Sequence, residues 1–484
     1  MNKVLNSLGG LRFRESGIFK NSSHLDVGDV LPLHLWKNLV ALYVIFFASY
    51  VNGQSIAPLL TREAAVELML QGNYDIRVAR NVTTIAQNNA GLLNSGYLPS
   101  LQGTAAANYD ETTSSTFFNG ALDNNGDPRE DVTIEDAETR RYNAAIAVNY
   151  TLFDGLGRFY NYKRLKEQYN LSQLQARSTI ENTTLQLMSV YLEVARTTEN
   201  LEVLRENLAI SKRRETRAQY QFEYGQASKL EVLNARVDIN TDSTMLLNVA
   251  QQLENTKRDL NLLMNRDLEA GFKVDTLVNF QNLIELETFI QTSAENNTRV
   301  LQSESNIQIS DFDIKTARAL LLPRIGLTGS YGWNQTDNPA SVFFPATTNK
   351  SNSLILGANL IWDIFDGGRS LNGMRNARIA LENEILLKDQ VLMEVRRDVA
   401  NARGNYLNAI TVFEMQEQNV TTNQNNFERS RERFKMGQIN SVEYRQAQVN
   451  LLNAKTLKNL AKYDAKLAEY QLLQLTGQLL NVQL

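Results

Sequence analysis

The sequence predicts an internally duplicated membrane α+β fold, in which each half carries a pair of barrel strands followed by a very long helical hairpin. Three observations carry this reading. A short phrase recurs at a constant offset, two long proline-free stretches hold heptad patterns, and four segments alternate apolar with polar residues.

The recurring phrase is LFDGLGR at Leu152–Arg158 and IFDGGR at Ile364–Arg369. Phe153-Asp154-Gly155 and Phe365-Asp366-Gly367 align at an offset of 212 (366 − 154). The same offset relates Phe222-Glu223-Tyr224-Gly225-Gln226 to Phe434-Lys435-Met436-Gly437-Gln438, and Leu263 to Leu475. Upstream, Leu98-Pro99 and Leu322-Pro323 are 224 apart, as are Asn73 and Asn297, so copy one holds 12 extra residues between its Leu-Pro and its Phe-Asp-Gly. Units this long exceed solenoid repeats of about 20–50 residues, so two large copies of one architecture are expected. The boundaries fall at 54–280 for the first repeat and 281–484 for the second. Within them the strand pairs are placed at 98–153 and 322–365, and the hairpins at 156–265 and 368–477.

The helices follow from periodicity. Ala447, Leu451, Ala454, Lys458, Ala461, Ala465, Ala468, Leu472 and Leu475 recur at 4-3 spacing with only Lys458 polar, the pattern of a coiled-coil seam. Subtracting 212 gives Ala235, Ile239, Asp242, Leu246, Val249, Leu253, Thr256, Leu260 and Leu263, the same seam in register. No proline interrupts Leu156–Phe222 or Gly368–Phe434, and a helix of that length runs about 100 Å. Gly225 and Gly437 then break the pattern. Ser228 and Ser441, each followed by an acid, are read as fresh N-caps that return each helix as a hairpin.

The strands follow from alternation. Leu354, Leu356, Ala358, Leu360, Trp362 and Ile364 share one face, opposite Gly357, Asn359 and Asp363. Ile146, Val148, Tyr150 and Leu152 oppose Ala147, Asn149 and Thr151, and the incoming segments after Leu98-Pro99 and Leu322-Pro323 alternate likewise. Strands of about ten residues with an apolar face and aromatics near their ends match outer-membrane barrels. Residues 110–140, rich in acids, and 335–352 are expected as water-facing loops. Four strands cannot close a barrel, and about eight give a filled interior. Three chains would supply twelve strands and room for water, so the strand count points to a trimer.

Composition excludes several chemistries. There is no cysteine, and the only histidines are His24 and His34. Both precede the apolar run Leu39–Val51, which is too short to span a bilayer as a helix and suits a signal peptide occupying 1–53. The mature chain then lacks the residues for an imidazole base, a thiol nucleophile or a His-ligated zinc, so no catalytic, metal or cofactor site is expected. A net charge of −4 offers no basic field for nucleic acid.

The duplication, the Leu-Pro before each first strand, the Phe-Asp-Gly after each second strand and the Gly hairpin tips, in this order twice, resemble the TolC-like outer-membrane efflux family over 58–480. The resemblance implies a homotrimer whose twelve-stranded outer-membrane β-barrel is continued by a long periplasmic α-helical coiled-coil barrel. It implies a passive exit duct, not an enzyme, docked to a periplasmic adaptor protein and an inner-membrane transporter, either in a tripartite efflux pump or, alternatively, in type I protein secretion. The family's tips carry acids six and nine residues after the turn glycine. Here Glu231 and Glu443 match the first position as a periplasmic gate, while Asn234 and Gln446 depart at the second. Tyr224, Gly225, Gln226, Met436, Gly437 and Gln438 are the expected adaptor-contacting tips, with glutamine where the family is apolar. Phe153-Asp154-Gly155 and Phe365-Asp366-Gly367 are the expected strand-to-helix corners.

Overall fold

The structure, a computed structural model, describes residues 58–342 and 344–482. The expected leader at 1–53 lies outside the described residues. In chain order the elements are β1 (Leu59–Leu60), α1 (Arg62–Gly72), α2 (Tyr74–Asn89), β2 (Ser100–Thr116), β3 (Val132–Phe153), α3 (Gly157–Glu223) and α4 (Lys229–Leu263). The second half continues with β4 (Lys273–Val274), α5 (Leu283–Gln291), α6 (Ser293–Asn296), α7 (Thr298–Ala319), β5 (Arg324–Asn338), β6 (Thr347–Ile361), α8 (Arg369–Lys435) and α9 (Ser441–Leu475).

The long helices keep the sequence offset at every boundary: α3 and α8 are each 67 residues, and α4 and α9 are each 35. The seam is buried, with Ala447, Leu451, Ala454, Ala461, Ala465, Ala468 and Leu472 shielded on α9, and Ala235, Asp242, Leu253, Thr256 and Leu260 on α4. Small seam residues let α9 lie close to both α8 and α3, against which it packs. The main core lies midway along α3 and at the C-terminal ends of α4 and α9, where Leu187, Met188 and Tyr191 of α3 cluster with Met69, Leu260, Tyr470 and Leu473. The Tyr191 hydroxyl donates to Leu60 O at 2.7 Å and accepts from Asp275 N at 2.9 Å, tying the parallel β1–β4 pair to α3.

The landmark asparagines have one job in both copies. Asn73 caps α2 through its side-chain oxygen while its Nδ2 donates to Leu263 O at 3.0 Å. Asn297 caps α7 in the same way and donates to Leu475 O at 2.8 Å. One side chain thus satisfies the N-terminus of a short helix and the C-terminal carbonyl of the returning hairpin helix, groups the helices cannot satisfy internally.

The four long strands form one antiparallel sheet in the order β2-β3-β5-β6, so the two copies meet at β3–β5. Register carries the alternation across all four strands. Leu101, Val148, Gly329 and Leu356 lie in one cross-strand row, and Gly103, Ile146, Tyr331 and Leu354 in the next. Rows of the opposite face hold Thr104, Ala145, Gly332 and Ser353, or Asn108, Arg141, Thr336 and Asn349. The apolar face is open, with Leu101 72% and Leu356 77% exposed. From Leu101 to Tyr109 it extends about 26 Å at roughly 3.3 Å per residue, near the height of an outer-membrane apolar band.

Several boundaries differ from expectation. The acidic stretch 110–140 is not a loop: β2 and β3 stay paired from Asp110↔Thr139 to Thr116↔Val132, leaving only 117–131 as the turn. The 335–352 segment is likewise mostly strand, paired as far as Asn338↔Thr347. Backbone pairing needs no apolar side chain, and polar cross-strand pairs such as Arg141–Asp110 at 3.1 Å and Ser115–Thr133 at 2.9 Å cover the extension. At the other end β6 stops at Ile361 rather than reaching Phe365. Its partner β5 begins at Arg324, just after Pro323, so no neighbour remains for Trp362–Phe365, whereas β3 has β5 beside it to Phe153. Ser228 occupies the α4 N-cap without a side-chain hydrogen bond, and Ser441 is the first residue of α9. The cap there is Asn440, whose side chain accepts from Glu443 N at 2.9 Å.

The corners into α3 and α8 use two consecutive left-handed residues: Gly155 (φ +69°) with Leu156 (φ 68°), and Gly367 (φ +71°) with Gly368 (φ +84°). A left-handed conformation strains a leucine by about 1–2 kcal/mol and leaves glycine unstrained. Leu156→Gly is therefore expected to raise stability by about 0.5 kcal/mol, and Gly368→Leu to lower it by about 1 kcal/mol. Thermal unfolding of the detergent-solubilised protein checks this, and the opposite order of the two variants would refute the strained corner.

Candidate channel elements and the hairpin tips

Both hairpins turn through the same hydrogen-bonded device. At the end of α3, Gln226 N donates to Gln221 O at 2.6 Å and Gly225 N to Phe222 O at 3.0 Å. At the end of α8, Gln438 N donates to Arg433 O at 2.9 Å and Gly437 N to Phe434 O at 3.1 Å. These are Schellman closures, which need a left-handed residue at the turn. Gly225 (φ +70°) and Gly437 (φ +72°) supply it, with open space where a Cβ would stand. Tyr224, Gln226, Met436 and Gln438 are all exposed around them. The two tips are tied by Arg217, whose Nη2 donates to Lys435 O at 3.1 Å.

The two glutamates of the expected gate stand in first turns of their helices but differ in surroundings. Glu231 on α4 is half-buried, and its backbone N donates to Ser228 O. Glu443 on α9 is exposed; its backbone N donates to Asn440 Oδ1 at 2.9 Å, and its Oε1 accepts from Asn440 Nδ2 at 3.4 Å. Gln446, at the position where the family carries its second acid, donates instead to Asn450 at 2.8 Å.

At the corners, the aspartate of each Phe-Asp-Gly ties down the helix start. Asp154 Oδ2 accepts from Arg158 N at 2.9 Å and Arg158 Nε at 3.1 Å, and Arg158 reaches Gly96 O in the segment before β2. Asp366 Oδ2 accepts from Ser370 N at 2.9 Å and Ser370 Oγ at 2.6 Å, while Oδ1 accepts from Gly368 N at 3.1 Å. The Ser370 hydroxyl first, then the backbone amides, hold the Asp366 carboxyl below the usual carboxylate range. Gly155 also makes room for packing: a Cβ there would stand 2.6 Å from Ala319 O and 2.9 Å from Leu322.

One feature of the helices escaped sequence reasoning. Seventeen residues beyond Gly225, the seam carries Asp242, buried to 1% exposure, where the second copy has Ala454. Arg445 of α9 pairs with both its oxygens, at 2.9 and 2.8 Å. Ser211 Oγ donates to the same carboxylate at 2.5 Å, and Gln448 Nε2 extends the chain to Ser211 and Asn207. This polar knot joins α3 and α4 of the first copy to α9 of the second. Its only sequence signal is a charged residue at a position that heptad spacing assigns to the seam.

Four alternating strands that share one apolar face, followed in duplicate by hairpins of 67 and 35 residues, define the protomer of an outer-membrane channel. The chain belongs to the outer membrane efflux protein family, which matches residues 65–266 and 289–478. It is 22% identical over 449 residues to the outer membrane efflux protein BepC of Brucella suis biovar 1, across 93% of this chain and 92% of the relative. Against the outer membrane protein TolC of Vibrio cholerae it is 23% identical over 309 residues, covering 63% of this chain and 70% of that one. Among solved structures, the CmeC outer membrane channel of Campylobacter jejuni superposes with a TM-score of 0.67 at 18% identity, covering 86% of each chain. The outer membrane protein VceC of Vibrio cholerae gives 0.67 at 14% identity, over 86% of this chain and 96% of that one. The duplicated α+β fold is thus that of these channels, and the chain is an outer-membrane efflux channel.

Two measurements check the polar elements. Asp242→Ala removes the carboxylate acceptor of the Ser211 hydroxyl and of both terminal nitrogens of Arg445, whose remaining carboxylate contact is the longer one to Asp238 at 3.5 Å, and is expected to cost about 3 kcal/mol, whereas adding Arg445→Leu recovers most of it; denaturant midpoints in detergent decide, and a silent Asp242→Ala would refute the knot. For Asp366 the folded carboxyl titrates below its unfolded value near 4, so its stabilisation is present above that pH and vanishes as pH falls through the folded value. The melting-temperature gap between wild type and Asp366→Asn should accordingly be widest at neutral pH and close below about pH 4. A gap independent of pH would count against the capped corner.

Proposed function

We propose that three copies of this chain close a twelve-stranded barrel in the outer membrane and that their helices extend into the periplasm as a coiled-coil tunnel. The tunnel receives substrates from an inner-membrane transporter through a periplasmic adaptor. The observation that carries this reading is the sheet itself. Strands β2 and β6 each have one unpaired edge, and the sheet's apolar face has no protein covering it among the described residues. In lipid, unpaired backbone is tolerated only when a closed barrel satisfies it. Edge-to-edge joining of β2 with a neighbour's β6 does this, places the apolar rows toward lipid and turns the rows of Thr104, Asn108, Asn334 and Ser353 inward.

The repeats 54–280 and 281–484 then act as alternate staves of one tunnel. Their exposed tips, Tyr224-Gly225-Gln226 and Met436-Gly437-Gln438, meet the adaptor, with a more polar contact than the family's usual one. Glu231 and Glu443 line the inner mouth and favour cations there. The chain acts as a conduit and performs no chemical step.

Purified protein should run as a heat-modifiable trimer from the outer-membrane fraction and form cation-preferring pores in planar bilayers. Joint replacement Glu231→Gln and Glu443→Gln is expected to lower the cation preference without reducing the amount of trimer. Unchanged selectivity would remove the gate assignment, and a monomer that stays dissolved without detergent would remove the barrel.

A further inference from the structure

Near the tips, the ends of α3 and α8 face each other across a cavity of about 430 Å³. Five cationic side chains line it, Arg213, Arg214 and Arg217 from α3 and Arg431 and Lys435 from α8, and no acid does. One wall is aromatic. The Phe434 and Tyr444 rings stack at 4.8 Å with 4° between their planes, and Phe427 stacks with Tyr444 at 5.6 Å.

Arg214 is the anomalous member. It is 5% exposed, and among the described residues one terminal nitrogen is engaged, with Asp238, while its Nε and Nη1 are buried without an acceptor. A buried guanidinium with unsatisfied N–H groups is costly, and Arg445 beside it adds like charge. Burial, then that charge, lower Arg214 to about 10. Neighbouring acids do not cancel the excess. Glu432 pairs with Arg431 and Lys435 from outside the cavity, and Arg213 has no ion pair among the described residues.

We propose that this cavity is an anion site that takes a flat organic carboxylate, its charge held by the arginines and its body against the aromatic wall. A carboxylate matches the planar donor fork of arginine, and a ring packs against the aromatic wall through its edges and the Phe434 side. Seated there, it supplies the acceptor that Arg214 lacks.

Isothermal titration of the detergent-solubilised full chain with benzoate tests the site, with benzyl alcohol and inorganic sulfate as comparison probes. Saturable benzoate binding is expected, weakened at least tenfold by Arg214→Gln and measurably by the exposed-site variant Arg213→Ala, with circular dichroism confirming that both variants fold. Benzyl alcohol should not bind, and sulfate should bind more weakly than benzoate. Absence of saturable benzoate uptake, equal uptake of benzyl alcohol, sulfate bound as tightly as benzoate, or an affinity indifferent to both variants would each overturn the proposal. Because no export or conductance is read, failure here leaves the exit-channel reading standing.

Discussion

Unsatisfied backbone at the two edges of a four-stranded sheet is the constraint around which this chain is arranged. β2 and β6 offer rows of N–H and C=O groups with no strand partner among the described residues, beside an apolar face that extends across every strand. In water such a sheet would aggregate, and in lipid it would be intolerable. The proposed joining with further copies resolves both problems and brings two helical hairpins for every four strands. The corners must then turn every second strand into a helix over a few residues, three between β3 and α3 and seven between β6 and α8, which explains why Asp154 and Asp366 are spent on capping and why left-handed residues follow them.

Duplication supplies the matching staves, and departures from it show where the two hairpins do different work. The Asn73–Leu263 and Asn297–Leu475 hooks are the same interaction made twice, and they hold each returning helix to the short helix that precedes its strands. The seams, by contrast, diverge, and most consequentially at Asp242 and its counterpart Ala454. Ala454 lets α9 approach its neighbours closely, while Asp242 instead binds Arg445 across the boundary between copies. A buried pair of this kind adds little net stability relative to apolar packing, but it penalises any sliding of the helices that would separate it. The knot thereby sets the register of hairpin against hairpin.

Much of this was legible in the sequence. Periodicity is a property of long segments, so the ends of α3, α4, α8 and α9 and their buried seams emerged to within a residue or two. Strand ends did not, because pairing persists through Asp110–Thr116 wherever a partner backbone is present, whatever the side chains. β6 stopped early for the converse reason, since Pro323 ends its neighbour. The cap at Asn440 lay hidden beside an equally good candidate, Ser441. The Asp242 knot and the Arg214 cavity depend on residues more than two hundred positions apart, a relation that local pattern cannot express.

The tips unite these threads. Schellman turns fix Gly225 and Gly437 in geometry, so any opening there must come from movement of whole helices rather than from the turns. Such movement meets two restraints of different strength. The Arg217–Lys435 carbonyl bond is exposed and single, whereas the Arg445–Asp242 pair is bidentate and buried, with Asp242 seventeen residues beyond Gly225 and Arg445 eight beyond Gly437. Exposed contacts exchange readily with water, while separating the buried pair exposes two charges at once. The buried pair is therefore the stronger of the two ties between the hairpins, and the exposed bond near the tips the weaker.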